Sequence, residues 1–304
     1  MSVFVLKLIA LLTMVIDHTA AVFSEAVAAP LLPEAAVILL RSIGRVAFPL
    51  YAFLLAEGFR HTRSRPKYAL RLFGLGLLSQ IPYAFTLNGW VAFSEMPWWR
   101  RITDLNILFS LSLGVLLLAF LDAKGLDRLF GSWGGAAALA AGSLLFYLSA
   151  LYKIAFALGL AAALALAARV FPKLGWAAGQ AARFTLFSFV LFQLLRHNIP
   201  VPIMGSIHFS FDYGIDGLIL FAALHWAKTP RRSGLVIALW GLWCYAEDLA
   251  AAPIIAVPAV LFIAMAAVCA AFYNGQRGRD DHRLFYWAYP GHLLLLWGAL
   301  ALAA

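Results

Sequence analysis

Charge is what this 304-residue chain has least of: Asp, Glu, Lys and Arg together make up 12% of it, about half the share of a soluble globular domain. Hydrophobic residues fill 64%, and the mean hydropathy is +0.88. That balance excludes a water-soluble fold. Cysteine is scarce too: Cys244 and Cys269 both stand in apolar segments, which argues against a disulfide framework or a thiolate metal site and makes them core residues. No low-complexity tail or linker is present, nor an internal repeat of the kind that marks inverted-repeat carriers. The alternation of a membrane barrel is missing as well, so helices are left to satisfy the backbone in lipid.

What the chain does contain is a series of apolar runs of membrane-crossing length. They predict eleven spans, at residues 3–23, 34–60, 68–87, 105–122, 134–150, 152–171, 178–195, 210–227, 233–248, 252–273 and 285–303. Ten is the alternative, because the fifth and sixth abut at Leu151. The expected fold is therefore all-α, a polytopic integral membrane protein of about 10–11 transmembrane helices forming a single domain over residues 1–304. Within the second span, Pro49 is expected to kink the helix and free a carbonyl.

Basic residues crowd every second loop: Arg60, Arg63, Arg65, Lys67 and Arg71, then Lys124 and Arg128, Arg169 and Lys173, Lys228, Arg231 and Arg232, and Arg277, Arg279 and Arg283. The opposite loops hold Glu25, Glu34, Glu247 and Asp248, with Arg100, Arg101, Lys153 and Arg196 as exceptions. This bias predicts a cytosolic N-terminus. The net charge of +9 is then mostly a topological signal, and no nucleic-acid partner is implied. Asp17-His18 interrupts the first apolar run, so that run is expected to stay as a helix instead of being cleaved as a signal peptide.

Ionisable groups at membrane depth are costly and call for a function. His18 lies about 22 Å along its helix from residue 3, in the outer half, and Arg41 and Arg45 fall at a comparable depth and share one face by i, i+4 spacing. A buried arginine pair needs anions. Asp17 is the nearest, and Asp212 and Asp216 enter from the outer side. Together with Glu57, Arg60, His61, Gln80, Asn106, Arg183 and His292 these residues suggest a shared polar cavity, although each alone reads equally as a structural strut, and a transport pathway also accounts for the set. Asn106 reads as a helix cap or as a hydrogen-bond donor to a reacting centre. The tryptophans and arginines from Trp90 to Arg101 form either an interfacial belt or a lid, shared with Asn198 to Pro202 and His208.

The residues Leu6 to His18, Gly44 to His61, Asp104 to Gly114, Asp212-Tyr213-Gly214, Tyr273 to Gly278 and Phe285 to Leu293 recur in an order that resembles the TraX family. The resemblance implies a membrane acyltransferase of the bacterial cytoplasmic (inner) membrane that takes acetyl groups from cytosolic acetyl-CoA, with no metal. The acceptor it implies is a pilin-like peptide or another envelope molecule; oligomeric state stays open. Under this resemblance His18 is the expected base or transient acyl carrier. Asp17, Arg45, Arg41 and Asn106 support it, while Glu57, Arg60, His61, Asn274, Arg277, Tyr289 and His292 receive the nucleotide at the cytosolic face. Asp212, Tyr213, Asp216 and His208 meet the acceptor, and a tunnel is expected to join the two ends. The rival reading from the same Asp, His and Arg cluster is a transporter or proton-coupled carrier.

Overall fold

Apolar, helix-forming runs punctuated by Gly, Pro and Asn fold into helices in the computed structural model. It describes residues 1–25, 32–87, 103–123, 137, 139–141, 144, 152–170, 175–196, 199–201, 205–207, 210–279 and 282–303. The elements run α1 (Val3–Glu25), α2 (Glu34–Gly44), α3 (Ala47–His61), α4 (Arg65–Leu87), β1 (Asp104–Leu105), α5 (Ile107–Leu121), α6 (Tyr152–Val170), α7 (Gly175–Arg196), β2 (Ile199–Val201), β3 (Gly205–Ile207) and β4 (Ser210–Phe211). They continue with α8 (Gly214–Ala227), α9 (Pro230–Cys244), α10 (Ala246–Ala251), α11 (Pro253–Ala271) and α12 (His282–Ala303). Among the described residues, three stretches are long and apolar enough to cross a membrane, Val3–Ser24, Glu34–His61 and Pro253–Ala271; Ile107–Leu121 and Gly214–Ala227 are shorter apolar helices. The chain is a polytopic, helical membrane protein. Its outward side chains agree with this, since Leu302, Leu295, Ile254 and Trp287 are all exposed, Leu302 at 91% and Leu295 at 77%.

Two compact units make up the chain. The first, residues 1–115 and 210–304, packs α1 against α2, α3 and α12, α4 against α12, and α8 against α3 and α9. Within it α9 and α11 lie close because glycine faces small or branched neighbours: a Cβ on Gly234 would stand 2.7 Å from the Ala267 carbonyl oxygen, and one on Gly241 2.5 Å from Ile263. Small residues let backbones approach where lipid offers no hydrophobic drive. The second unit, residues 116–209, packs α6 along α7 through Ala161, Ala162, Ala165 and Ala182. Its buried Arg183 donates to the Leu121 carbonyl at 2.6 Å, placing a cation on the last residue of α5, where the helix dipole is negative.

The second span departs from its expected form. The helix is interrupted at Arg45 and Val46, whose amides turn back to Ser42 and Ile43 in tight i to i−3 bonds, not at Pro49. Pro49 is the third residue of α3, and amides in a first turn have no acceptor within the helix, so its missing N–H breaks nothing there. The eighth span is shorter than expected because Ser210 and Phe211 leave the helix to pair in parallel with Asp104 and Leu105. A second clip joins β2 and β3. The expected span at 134–150, and with it the choice between ten and eleven, lies mostly outside the described residues.

Candidate active site

Asp17 and His18 sit near the C-terminal end of α1, where α2 crosses closely. The crossing depends on Gly44: a Cβ there would collide with the Asp17 side chain. Arg41, one turn earlier in α2, donates from Nη1 to Asp17 Oδ2 at 3.0 Å. Arg45 caps α2 and lines the same cavity as Tyr213 and Asp17.

Tyr213 holds an uncommon backbone conformation, with φ at +62°, a left-handed position that is strained for a side chain of this size. Its ring lies flat on Phe48, centroids 3.6 Å apart and planes within 6°, which over-determines the strained residue. Beside it, Asp212 is held by its backbone, whose carbonyl accepts from Ser110 Oγ at 3.0 Å. Asp17, His18, Arg41, Arg45, Asp212 and Tyr213 line a cavity of about 370 Å³ together with Tyr51, Tyr83 and Tyr289. All of it belongs to the first unit.

A polar scaffold sets one wall. Gln80 of α4 donates to the Asp104 carbonyl at 2.7 Å and accepts from both the backbone amide and the side-chain amide of Asn106. Asn106, fully buried, also donates to the Gly76 carbonyl and caps α5 by accepting from the Leu108 amide. Its side chain is therefore committed to the cap and to α4, and only its neighbour Ile107 reaches the cavity wall.

The second histidine of the site comes from α12. His292, 8% exposed, places Nε2 2.8 Å from His18 Nδ1, and its own Nδ1 lies 2.9 Å from the Ala288 carbonyl oxygen. Sequence reasoning put Tyr289 and His292 at the cytosolic face with the nucleotide; the structure puts both beside His18. Helix rise explains the correction, because α12 starts at His282 and ten residues carry His292 about 15 Å along its axis.

Of the other residues expected at the nucleotide end, Glu57, Arg60 and His61 engage one another at the end of α3. Arg60 pairs with Glu57 and donates to the Leu224 and His225 carbonyls at 2.6 and 3.2 Å, closing the end of α8; His61 Nε2 lies 3.6 Å from Glu57. Asn274 and Arg277 lie in the strap that receives the N-terminus: the Met1 amine donates to the Phe272 carbonyl, and the Val3 and Phe4 amides to those of Gln276 and Arg277. Arg277 and His61 are exposed. Asp216 points away from the cavity, its carbonyl accepting from Trp240 Nε1 at 2.8 Å and its carboxylate from Trp243. Asp212 and Asp216 do not share a helix, because Asp212 precedes α8. Arg183 belongs to the second unit, and His208 and the tryptophan segment up to residue 102 lie outside the described residues. Sequence reasoning missed Tyr51, Tyr83 and Phe48, whose only signal was a polar hydroxyl or a bulky ring within an apolar helix.

Comparison with known proteins adds two matches. A family model described as TraX protein matches residues 2–197, which includes Asp17, His18, Arg41 and Arg45 and stops before Asp212, Tyr213, Tyr289 and His292. A protein of Dichelobacter nodosus, described as probable fimbrial assembly protein FimC, serogroup H1, is 34% identical over 126 residues, 38% of this chain and 45% of that one. The alignment thus spans less than half of the relative's length. No solved structure matches.

Proposed function

The chain belongs to the TraX family, and on that premise we propose that it is an integral membrane acyltransferase that moves an acetyl group from acetyl-CoA to an acceptor meeting it in the outer half of the membrane. The observation that carries this reading is the convergence of an imidazole, two guanidiniums, two carboxylates and four tyrosines on one cavity. Acyl transfer needs a base or nucleophile, donors for the tetrahedral oxyanion and a place for the acceptor. His18 takes the acceptor's proton as that acceptor attacks the thioester carbonyl, or itself carries the acetyl group in transit; the C–S bond then breaks and the thiolate of coenzyme A leaves with the proton. Arg45 and Tyr213 supply hydrogen bonds to the oxyanion, Arg41 is held in place by Asp17, and the Asp212 carboxylate receives an amine or hydroxyl acceptor.

The donor would enter from the cytosolic end, where the exposed Arg277 and the basic run Arg63, Arg65 and Lys67 suit phosphates. Its pantetheine arm then spans the roughly 15–20 Å of helix between that end and His18. The relative's description as a fimbrial assembly protein favours a pilin-like peptide as acceptor, and the lysine and arginine bias favours a cytosolic N-terminus in a bacterial inner membrane.

Purified protein in detergent, supplied with labelled acetyl-CoA, tests the reading. Wild type is expected to bind and turn over acetyl-CoA, His18→Ala to lose about 10²- to 10⁴-fold in turnover, the worth of a positioned base, and Arg45→Ala about 10²- to 10³-fold. Neither binding nor turnover, with solute uptake into proteoliposomes instead, would replace the enzyme by a carrier.

A further inference from the structure

We propose that His292 is a positioning residue which, through the 2.8 Å contact of its Nε2 with His18 Nδ1, holds His18 in the tautomer whose basic nitrogen serves the cavity. The inference rests on the reading of His18 as the working base, and it follows from donor and acceptor chemistry alone. A carbonyl oxygen only accepts, so the 2.9 Å contact between His292 Nδ1 and the Ala288 oxygen requires the proton of neutral His292 to be on Nδ1. Nε2 of His292 then has a lone pair and no hydrogen. His18 Nδ1, facing that lone pair at hydrogen-bond distance, has to be the donor. One proton remains for each neutral ring, so Nε2 of His18 is the unprotonated, basic atom, and His18 lines the cavity.

Ring geometry agrees with an edge-to-edge bond. The centroids are 5.0 Å apart and the planes differ by 22°, the separation of two nearly coplanar rings joined through facing nitrogens; rings lying face on face would sit closer. His292 itself is absent from the cavity wall, and both of its nitrogens are occupied. It therefore acts through His18. When His18 Nε2 takes the acceptor's proton, the resulting imidazolium keeps its Nδ1–H directed at His292, whose lone pair stabilises the new charge; the proton leaves with the coenzyme A thiolate and the pair returns to its starting state. The same orienting logic operates wherever a second group fixes a working imidazole by its far nitrogen.

The full-length protein in detergent decides this with three variants and two readouts. His292→Leu removes the acceptor, His292→Gln retains an amide oxygen that accepts, and His292→Met substitutes for the leucine variant should that one fail to elute as a folded species. The first readout is the rate at which diethyl pyrocarbonate modifies His18, followed by peptide mass spectrometry; the second is kcat and KM for acetyl-CoA. The leucine variant is expected to slow His18 modification and lower kcat about 10- to 100-fold, the scale on which orienting partners act, with KM unchanged. Glutamine is expected to restore most of both. Equal loss in leucine and glutamine variants would make His292 a packing residue, and wild-type rates in the leucine variant would overturn the proposal outright. Absence of acetyl-CoA turnover in every protein, wild type included, would remove the acyltransferase reading, while the modification rates still decide the histidine pair.

Discussion

Asp17 and Arg41 are each half-buried at 18% and 33% side-chain exposure, so each is the other's main compensation for leaving water. Removing one leaves a charge in a poor solvent, which costs more than the pair itself contributes. Asp17→Ala and Arg41→Ala are each expected to lower the denaturation midpoint. The double variant should be less destabilised than the sum of the two, with a coupling of about 0.5–3 kcal/mol in a thermal or denaturant melt. Strict additivity would mean that the two residues act independently. Gly44 is a separate test of the same corner. Because a Cβ there meets Asp17, Gly44→Ala has to push α1 from α2, and loss of activity beyond loss of fold is expected from displacement of Asp17 and His18.

Among the elements, the start of α5 carries the cavity wall. Asn106 caps the helix and Gln80 binds Asn106 and Asp104, so β1, its partner β4 and the adjoining Asp212 and Tyr213 hang from one buried network. Asn106→Ala is expected to cost about 1 kcal/mol as a lost cap, and more where Gln80 is left unsatisfied. Gln80→Leu should then weaken substrate turnover more than it lowers stability, since it loosens the strand that holds Tyr213 in its left-handed conformation. Measuring both quantities on the same preparations separates the two effects. The double reading of Asn106 from sequence resolves here: the bond from the Leu108 amide to its Oδ1 is a cap, and its Nδ2, the donor that a catalytic role would need, is spent on the Gly76 carbonyl and Gln80 Oε1.

At the scale of the molecule, orientation in the membrane is open to direct measurement. In a background without Cys244 and Cys269, Lys228→Cys is expected to react with an impermeant thiol reagent only from the cytosolic side, and Glu247→Cys only from the outside. The reverse pattern would invert the topology and place the cavity in the inner half.

Composition and hydropathy by themselves determined that this is a helical membrane protein, because lipid leaves an unpaired backbone no alternative. Depth arithmetic and i, i+4 spacing brought Asp17, His18, Arg41 and Arg45 together, since a single helix crossing and a single face are local properties. Asp17-His18 was legible as a pair of different roles, and the structure agrees that Asp17 binds an arginine while His18 turns elsewhere. Only the tertiary structure decided what His18 turns to. His292 lies 274 residues away, and its depth follows from where α12 starts, not from any local pattern. The strained Tyr213 and the strand that carries it were likewise hidden in the sequence, because each depends on a partner supplied by a distant element: Phe48 for Tyr213 and β1 for β4.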